Sequence, residues 1–395
     1  MRRVAVRVKS GLIVHLIIGS YQIRRRSLVL PLLFLLGLAG CAEPCRTGFD
    51  VGSSGVRVGS SCAPGTARTA IDYLADVWAD NVMDATTEAT IAAFRDLPGL
   101  AGLPHGDSAI AGGYSAWRLA LEKGDAERLV ATLAHIEARS GVRLLVIPQR
   151  VEGAYGYHAA RRDLGRRLAS DAILDVGGGS LQIAKADTGW GAALGQRAWR
   201  QHFCVGGGAA DGGKCSPNPV GEGATDRTQS MLAPYLDEAR AVLGRGFTVT
   251  AVSAPVVLGV HPILRHLAGR GSIAGVADGT GFDHAALAGA IALLASRDDA
   301  AILAALDQCG EPSETPICRS RFVGTFVTDM LLLHGLMAGL DIDRIEVAEV
   351  DITNVPGLLD DPRARAWAAR YPCYLERLQR LGVAAFESDP DTCGR

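Results

Sequence analysis

Short apolar runs on either side of small-residue turns mark two similar segments of the chain. Residues 47–58 contain two short runs of apolar and polar residues, separated by a Gly/Ser turn with its tip at Gly52–Gly55. Residues 172–184 contain two similar runs, separated by the turn Gly177–Ser180. A tight turn of small residues between two such runs predicts a β-hairpin. Two hairpins about 125 residues apart indicate internal duplication of an α/β unit.

The remaining hydrophobic pattern predicts helices and buried strands around these hairpins. A period near 3.6 residues indicates a helix, and a short continuous apolar run indicates a buried strand. Residues 204–228, rich in Gly and Pro, predict a loop insertion. The predicted helices cover residues 67–94, 125–139, 152–168, 285–295 and 322–340, and the predicted strands cover residues 142–147, 247–252 and 345–350.

Composition places the chain among folded α/β proteins. Its 395 residues are long for one domain and comfortable for two, with 48% apolar residues, 6% aromatic residues and 48 glycines. Residues 1–40 hold seven Lys/Arg and no acid, which leaves 33 basic against 42 acidic side chains, a net charge of −9, in the remainder. This balance argues against nucleic acid as a partner, because binding to its phosphate backbone needs clustered cations.

The basic N-terminal segment has the layout of an export signal. Arg24–Arg26 precede an apolar run, Leu28–Leu38, that ends in Leu-Ala-Gly-Cys41. The run is shorter than the roughly 20 residues that span a bilayer. Its end resembles a bacterial lipobox, which implies a lipoprotein signal peptide over 1–40 and a lipid on Cys41, followed by a short linker over 41–45. We then expect an exported protein, anchored at the periplasmic face of the outer membrane or at the cell surface. An ordinary signal peptide followed by a coincidental cysteine is the alternative.

The other eight cysteines suit an oxidising compartment. An even number without CxxC spacing favours disulfides over zinc or redox motifs. The eight fall into sequence-local pairs, although spacing alone leaves their connectivity open. The predicted disulfides are Cys45–Cys62, Cys204–Cys215, Cys309–Cys318 and Cys373–Cys393.

Each predicted hairpin carries an aspartate at the end of its first strand. Asp50 and Asp175 can hold a hydrated divalent cation, and the small residues that follow let backbone N–H groups converge on a phosphate. A lone Asp-x-Gly turn is usually only a turn. Two such turns after apolar strands are much more specific, and they predict phosphate chemistry.

The two hairpins resemble the two phosphate-binding motifs of the actin-like ATPase superfamily. Within it, Asp50–Gly55 and Asp175–Gln182 resemble the motifs of the exopolyphosphatase/pppGpp phosphatase (Ppx/GppA) family and of the related apyrases, the ecto-nucleoside triphosphate diphosphohydrolases. Ser115–Ala120 resembles a Thr-x-Ala-x-Arg-x-Ala segment of the family, and Glu152–Tyr157 is closer to apyrases. The resemblance covers roughly residues 46–360.

The resemblance implies an α/β fold of two actin-like (ribonuclease H-like) domains with an interdomain cleft. These domains are expected over 46–165 and 166–395, with the substrate between the two hairpins. The oligomeric state stays open.

The resemblance also implies roles for single residues. Glu152 matches the general base, Ser180 and Gln182 match the pair that positions the attacking water, and Arg118 matches an arginine near the transferred phosphate. The alternatives are a helix-capping carboxylate for Glu152 and a solvated salt bridge for Arg118. Asp50 and Asp175 match ligands that hold Mg²⁺ or Ca²⁺ through water, and the matching phosphate-binding residues are Gly52, Ser53, Ser54, Gly55, Arg57, Gly177, Gly178 and Gly179.

The implied activity is the release of terminal phosphate from nucleoside di- or triphosphates or polyphosphate. Residues 148–151 lack the acids that polyphosphatases carry before the base, and residues 253–255 replace a Gly-Gly-Thr segment that frames the substrate. Both departures bear on substrate identity. The alternative function is a lipoprotein that binds nucleotide or phosphate without hydrolysis, although a pure binder has no need of Glu152.

Overall fold

The computed structural model describes residues 45–80, 82–103, 109–204, 215–276, 280–306, 323–348, 350 and 352–393. Residues 45–395 belong to one compact unit, which is built on two β-sheets. The predicted lipidation site Cys41 and the predicted Cys309–Cys318 disulfide lie outside the described residues. No helix within the described ranges is long and apolar enough to cross a membrane.

The first sheet has five strands in the order β3-β2-β1-β4-β5. Strands β1 and β2 form the predicted hairpin, in which Asp50 is paired with Arg57. Strands β4 and β5 add in parallel on the other side of β1, and β3 extends the hairpin antiparallel. The strands are β1 (Thr47–Val51), β2 (Gly55–Ser60), β3 (Ala67–Ala70), β4 (Ala109–Gly113) and β5 (Val142–Val146).

The second sheet repeats this arrangement in the order β10-β11-β9-β6-β7-β8. Its hairpin, β6 and β7, pairs Asp175 with Gln182, β8 extends the hairpin antiparallel, and β9 and β11 add in parallel. The shared order agrees with internal duplication. The strands are β6 (Ala172–Val176), β7 (Leu181–Ala184), β8 (Gly189–Ala192), β9 (Val249–Ala251), β10 (Gly281–Asp283) and β11 (Arg344–Val347).

Helices cover both sheets, and their ends follow local capping signals. At α4, for example, the Asp125 side chain accepts hydrogen bonds from Glu127 N and Arg128 N, and Gly141 ends the helix with a φ of 73°. The helices of the described ranges are α1 (Tyr73–Asp80), α2 (Asp84–Leu100), α3 (Ala116–Lys123), α4 (Ala126–Ser140), α5 (Gln149–Leu164), α6 (Gln196–Gln201), α7 (Ala224–Leu243), α8 (His261–Gly269), α9 (His284–Leu294), α10 (Asp299–Ala305), α11 (Phe326–Leu340), α12 (Val355–Asp360), α13 (Pro362–Ala369) and α14 (Tyr371–Leu381).

The C-terminal helices α12–α14 complete the core of the first sheet. Trp367 and Phe386 are buried in one cluster with Phe49 of β1. Tyr371 Oη donates to Leu144 O, and Tyr374 Oη accepts from Val146 N, so these hydroxyls satisfy polar groups on the edge strand β5. The second domain is expected to include all of residues 166–395, whereas the chain from α12 onward packs against the first sheet.

Three of the four predicted disulfides are present, and the fourth lies outside the described residues. Their Cα atoms are 5.3 Å apart for Cys45–Cys62, 6.0 Å for Cys204–Cys215 and 6.2 Å for Cys373–Cys393. Cys45 precedes β1 and Cys62 follows β2, so their disulfide joins the two ends of the first hairpin.

Two predicted elements differ from the structure. A single helix is predicted over 67–94, but the structure has strand β3 followed by α1 and α2 in this range. Ala67–Ala70 is a strand because it pairs with the edge of β2. The loop insertion predicted over 204–228 is shorter, since α7 begins at Ala224.

Candidate active site

The tip of the first hairpin presents backbone donors. The carbonyl of Ser53 accepts from Leu74 N at 3.2 Å, and the carbonyl of Ser54 accepts from Ile71 N at 3.3 Å, which fixes the turn against the start of α1. The N–H groups of Ser53 and Ser54 form no hydrogen bond within the described part of the chain. These donors are available to an anion.

The second hairpin has the same property at its own tip. Gly177 N donates to Ser180 O at 2.8 Å, and the carbonyl of Gly178 accepts from Arg197 N at 2.7 Å. The N–H groups of Gly178 and Gly179 find no acceptor among the residues that the structure covers. The carbonyls of Gly178 and Ser180 thus accept hydrogen bonds from the protein, while the N–H groups of Gly178 and Gly179 are available to a ligand.

The two tips lie face to face, which explains why glycines are needed there. A Cβ atom added at Gly178 would lie 2.4 Å from Ser53 Oγ, and one at Gly179 would lie 2.4 Å from Ser115 Oγ. Both distances are far below a van der Waals contact. The structure therefore brings the phosphate-binding residues predicted from both halves of the chain to one place.

Glu152 lies beside this place, at the first turn of α5. Gln149, one turn earlier, donates from Nε2 to Ala192 O at 2.7 Å, which holds the start of α5 against the second sheet. Glu152 is 7% exposed, and its backbone N donates to Pro148 O at 3.0 Å. The strand-to-helix connection thus directs a buried carboxylate toward the second hairpin.

Arg118 and Gln182 both contact the same oxygen of Glu152. Arg118 Nη2 lies 2.7 Å from Glu152 Oε2, and both side chains are buried. Gln182 Nε2 donates to the same oxygen at 2.9 Å and to Ser180 Oγ at 2.9 Å. Glu152 Oε1 makes no hydrogen bond to any described residue, so this oxygen is available to a water molecule. Arg118 is a buried partner of Glu152, unlike the solvated salt-bridge residue that the sequence left as an alternative.

Burial and neighbouring charge both act on the carboxylates. Burial raises the pKa of Glu152 to about 7, with smaller contributions from Asp175 and Asp50, and Arg118 opposes the rise. Burial, followed by the charge of Asp50, raises the pKa of Asp175 to about 6, while Arg57 lowers it. For both carboxyl groups burial is the larger cause, and it favours the protonated form.

Residues distant in sequence hold the two aspartate hairpins in place. Asp50 Oδ2 accepts from Asn354 N at 2.9 Å, and Ser253 Oγ accepts from Val176 N at 2.9 Å. Arg57, predicted to bind phosphate, donates from Nη1 to Ile352 O at 2.8 Å, so it also fixes the segment beside Asp50. Sequence reasoning missed Asn354, since no motif surrounds it. Ser253 lies in the segment that departs from the family.

Ser115 is a further residue that sequence reasoning did not single out. Its backbone has φ 42° and ψ −91°, an uncommon conformation for a residue other than glycine. Such backbone strain concentrates at functional sites. It places the Ser115 side chain at the second hairpin immediately before α3, the helix that carries Arg118.

Comparison with known proteins identifies the fold class. No protein-family profile matches the chain. A segment of 52 residues is 46% identical to an uncharacterized protein of Streptomyces coelicolor, but it covers 13% of this chain and 16% of that protein.

Solved structures give broader matches. The Ppx/GppA phosphatase of Aquifex aeolicus matches with a TM-score of 0.55 and 14% identity, over 80% of this chain and 98% of that one. An exopolyphosphatase-like protein matches at 0.55 with 18% identity, over 81% and 99%. An exopolyphosphatase from Cytophaga hutchinsonii matches at 0.51 with 13% identity, over 80% and 96%.

The chain has the actin-like ATPase fold, so the predicted fold class is confirmed. Its structural neighbours are Ppx/GppA phosphatases and exopolyphosphatases, which agrees with the broader resemblance seen in the sequence. At such low identity the likeness defines the fold alone.

Proposed function

We propose that this protein hydrolyses phosphoanhydride bonds, with Glu152 as the general base. The observation that carries the proposal is the arrangement of the Glu152 carboxylate. Oε2 is held by Arg118 and Gln182, whereas Oε1, beside the two hairpin tips, makes no hydrogen bond to any residue that the structure describes. A carboxylate oriented through one oxygen can accept a proton through the other.

The remaining groups would bind the substrate and orient water. Backbone N–H groups of Ser53, Ser54, Gly178 and Gly179 would hold the terminal phosphate from opposite sides. Water would attack the terminal phosphorus while the bond to the bridging oxygen breaks, and a proton of the water would pass to Glu152 Oε1. The leaving group is the shortened phosphate chain, and the second product is inorganic phosphate.

The donor set also suits a divalent cation. Asp50 raises the pKa of Asp175, which indicates two carboxylates close enough to repel each other. We propose that they hold Mg²⁺ or Ca²⁺ through water, which would neutralise phosphate oxygens. Within the described ranges no group of three or more His, Cys, Asp or Glu side chains is placed to hold a metal ion directly.

We propose that the protein acts outside the cytoplasm, anchored by a lipid on Cys41. The three disulfides support an oxidising compartment. Replacing Cys41 by Ala should release the protein from the membrane fraction or stall its processing. Unchanged attachment and processing in a fractionation experiment would refute the lipid anchor.

Phosphate release from a panel of nucleotides and polyphosphates tests the activity. Glu152→Gln should lower kcat by about 10²–10⁴-fold, because it removes the base. It should leave ligand binding nearly intact, since glutamine preserves the shape of the side chain. Full activity of this variant on the best substrate would refute the mechanism. Binding without turnover by the unaltered protein would identify a phosphate-binding lipoprotein instead.

A further inference from the structure

Arg197 lies directly behind the second hairpin, and its side chain has no part in the proposed hydrolysis. It is the second residue of α6, and its backbone N donates to Gly178 O at 2.7 Å. A Cβ atom added at Gly178 would lie 3.8 Å from Arg197 Cδ and 2.4 Å from Ser53 Oγ. The stem of Arg197 therefore passes beside the point where the two hairpin tips meet.

The guanidinium of Arg197 reaches across to the first half of the molecule. Nη1 donates to Asp72 Oδ1 at 2.6 Å, and Nη2 donates to Oδ2 at 3.1 Å. Asp72 precedes α1, where its Oδ1 also accepts from Ala75 N at 3.0 Å. The Asp72 side chain is 54% exposed, compared with 18% for Arg197. Asp72 is therefore the solvent-exposed member of the pair, and a ligand with more negative charge can take its place.

This pair differs from those of the other arginines at the hairpins. Arg118 faces the buried Glu152, and Arg57 donates to the carbonyl of Ile352. Arg197 instead donates from both terminal nitrogens of its guanidinium to the exposed carboxylate of Asp72. A phosphate offers the same fork geometry with more negative charge, and Arg binds it through two parallel hydrogen bonds.

We infer that Arg197 binds the phosphate chain of the substrate and that Asp72 is its counter-ion in the absence of substrate. Substrate binding displaces Asp72, and the guanidinium then contacts the phosphates next to the one that is transferred. The inference rests on the proposed hydrolase function and adds a specificity-determining residue to its site. It also assigns Asp72 the role of a competitor for the arginine.

The inference predicts opposite effects for the two members of the pair. Arg197→Gln should raise KM about 10–100-fold with a smaller effect on kcat, because a charge-assisted two-pronged contact is lost. Asp72→Asn should lower KM about two- to five-fold, because the competing charge is removed. Asparagine caps a helix as well as aspartate does, so the start of α1 is preserved. Arg197→Lys, which keeps the charge but loses the fork, should fall between Arg197→Gln and the unaltered protein.

Combining Arg197→Gln with Asp72→Asn distinguishes a role of Arg197 in substrate binding from a purely structural ion pair. In the Arg197→Gln background, Asp72→Asn should have no further effect on KM. Arg245→Gln is the charge-matched control, because Arg245 forms an exposed pair with Asp341 in the second half. If the pair only joins the two halves, both single variants will shift KM in the same direction, and the inference is overturned. Thermal melting of each variant checks that it is folded.

A binding experiment distinguishes this inference from the proposed function. Calorimetry measures the Kd of inorganic tripolyphosphate for Glu152→Gln and for Glu152→Gln with Arg197→Gln. Weaker binding by the second protein supports the role of Arg197, even if the unaltered protein hydrolyses nothing. Equal binding, or turnover with an unchanged KM in Arg197→Gln, overturns this role and leaves hydrolysis standing. Absence of both binding and turnover overturns both proposals.

Discussion

At the scale of single residues, the Glu152 carboxylate combines burial with an oriented contact on one oxygen. Burial favours the protonated form, whereas Arg118 favours the charged form. The balance raises the pKa of Glu152 to about 7, which is suitable for a base that must exchange a proton near neutral pH. The pKa of Glu152 can be tested through the pH dependence of turnover and through replacement of Arg118.

The pH dependence of turnover should report the ionisation of Glu152. Because only the ionised carboxylate accepts a proton, kcat should rise with pH through about 7 and level off above it. Replacing Arg118 by Gln removes the charge that opposes the rise, so the midpoint should move to higher pH. Arg118→Lys is the control that keeps the charge. An activity that is constant from pH 5.5 to 8, or a midpoint that moves down in Arg118→Gln, would contradict the assignment.

The glycine at position 178 should be needed for the apposition of the hairpin tips. Alanine there would place Cβ 2.4 Å from Ser53 Oγ, so we expect Gly178→Ala to separate the tips and to lower kcat/KM at least about tenfold. Gly99→Ala on the exposed side of α2 is the control, because a Cβ atom there meets no atom within 4 Å and Gly99 lies outside the proposed site. Adding Ser53→Ala to Gly178→Ala removes the obstructing oxygen and tests whether the loss is steric. Equal activity of both alanine variants would refute this steric requirement.

At the scale of elements, the sequence predicted features that depend on neighbouring residues better than features that depend on contacts between distant segments. The two hairpins and the helix that begins at Asp125 depend on turns and caps encoded within a few residues, and the structure contains them. Strand β3 was missed because Ala-Arg-Thr-Ala has weak β propensity, and pairing with β2 decides its conformation. The role of Glu152 was predicted from the resemblance of the short segment around it to a known family.

Site contacts between distant segments could not be predicted in this way. Asn354 and Asp50 are separated by 304 residues, and Arg197 and Asp72 by 125. Each pair is brought together by the packing of whole elements, and no spacing rule connects its members. The C-terminal helices illustrate the same limit, because they return to the first sheet after the second is complete.

Helix α11 contains a buried carboxyl group whose ionisation should weaken the fold. Burial raises the pKa of Asp329 to about 8, although Gln196 and Arg200 lower it. A raised folded-state pKa means that stability is fully present below the unfolded pKa of about 4 and is lost as pH rises through about 8. Asp329→Asn should therefore melt at a higher temperature than the unaltered protein at pH 8, and the difference should narrow steadily toward pH 5.

The exposed Asp237 on α7 offers a charge-matched control for this measurement. Its side chain is 78% exposed. Thermal melts of Asp237→Asn across the same pH range correct for the general loss of one negative charge. A difference between Asp329→Asn and the unaltered protein that stays constant from pH 5 to pH 8 would argue against the raised pKa.

At the scale of the whole molecule, the two halves share a topology but have diverged at matching positions. In the first hairpin Asp50 is paired with Arg57, which holds the chain before α12. In the second hairpin Asp175 is paired with Gln182, which contacts the proposed base. The matching residues Arg57 and Gln182 thus make different contacts, Arg57 with the carbonyl of Ile352 and Gln182 with the carboxylate of Glu152.

The charge of the whole molecule bears on the choice of substrate. We predict a preference for nucleoside di- or triphosphates over long-chain polyphosphate. The chain after residue 40 has 33 basic and 42 acidic side chains, a net charge of −9, which opposes the approach of a long polyanion. The local run Glu152–Tyr157 and the contact of Gln182 with Ser180 also agree with the apyrase resemblance. The solved structures with this fold include exopolyphosphatases, so polyphosphate is the alternative substrate to compare with nucleotides.

The comparison to make is kcat/KM for ATP, ADP and GTP against polyphosphates of several lengths, with saturating Mg²⁺ and at one ionic strength. If repulsion from the net charge sets the preference, kcat/KM for the longest polyphosphate should be the lowest and should rise most steeply with added salt, because salt screens long-range repulsion. The value for ADP should change least, since its phosphate chain is short. A clear preference for the longest polyphosphate at low salt would show that a local basic surface outweighs the overall charge, and nucleotides would then be the secondary substrates.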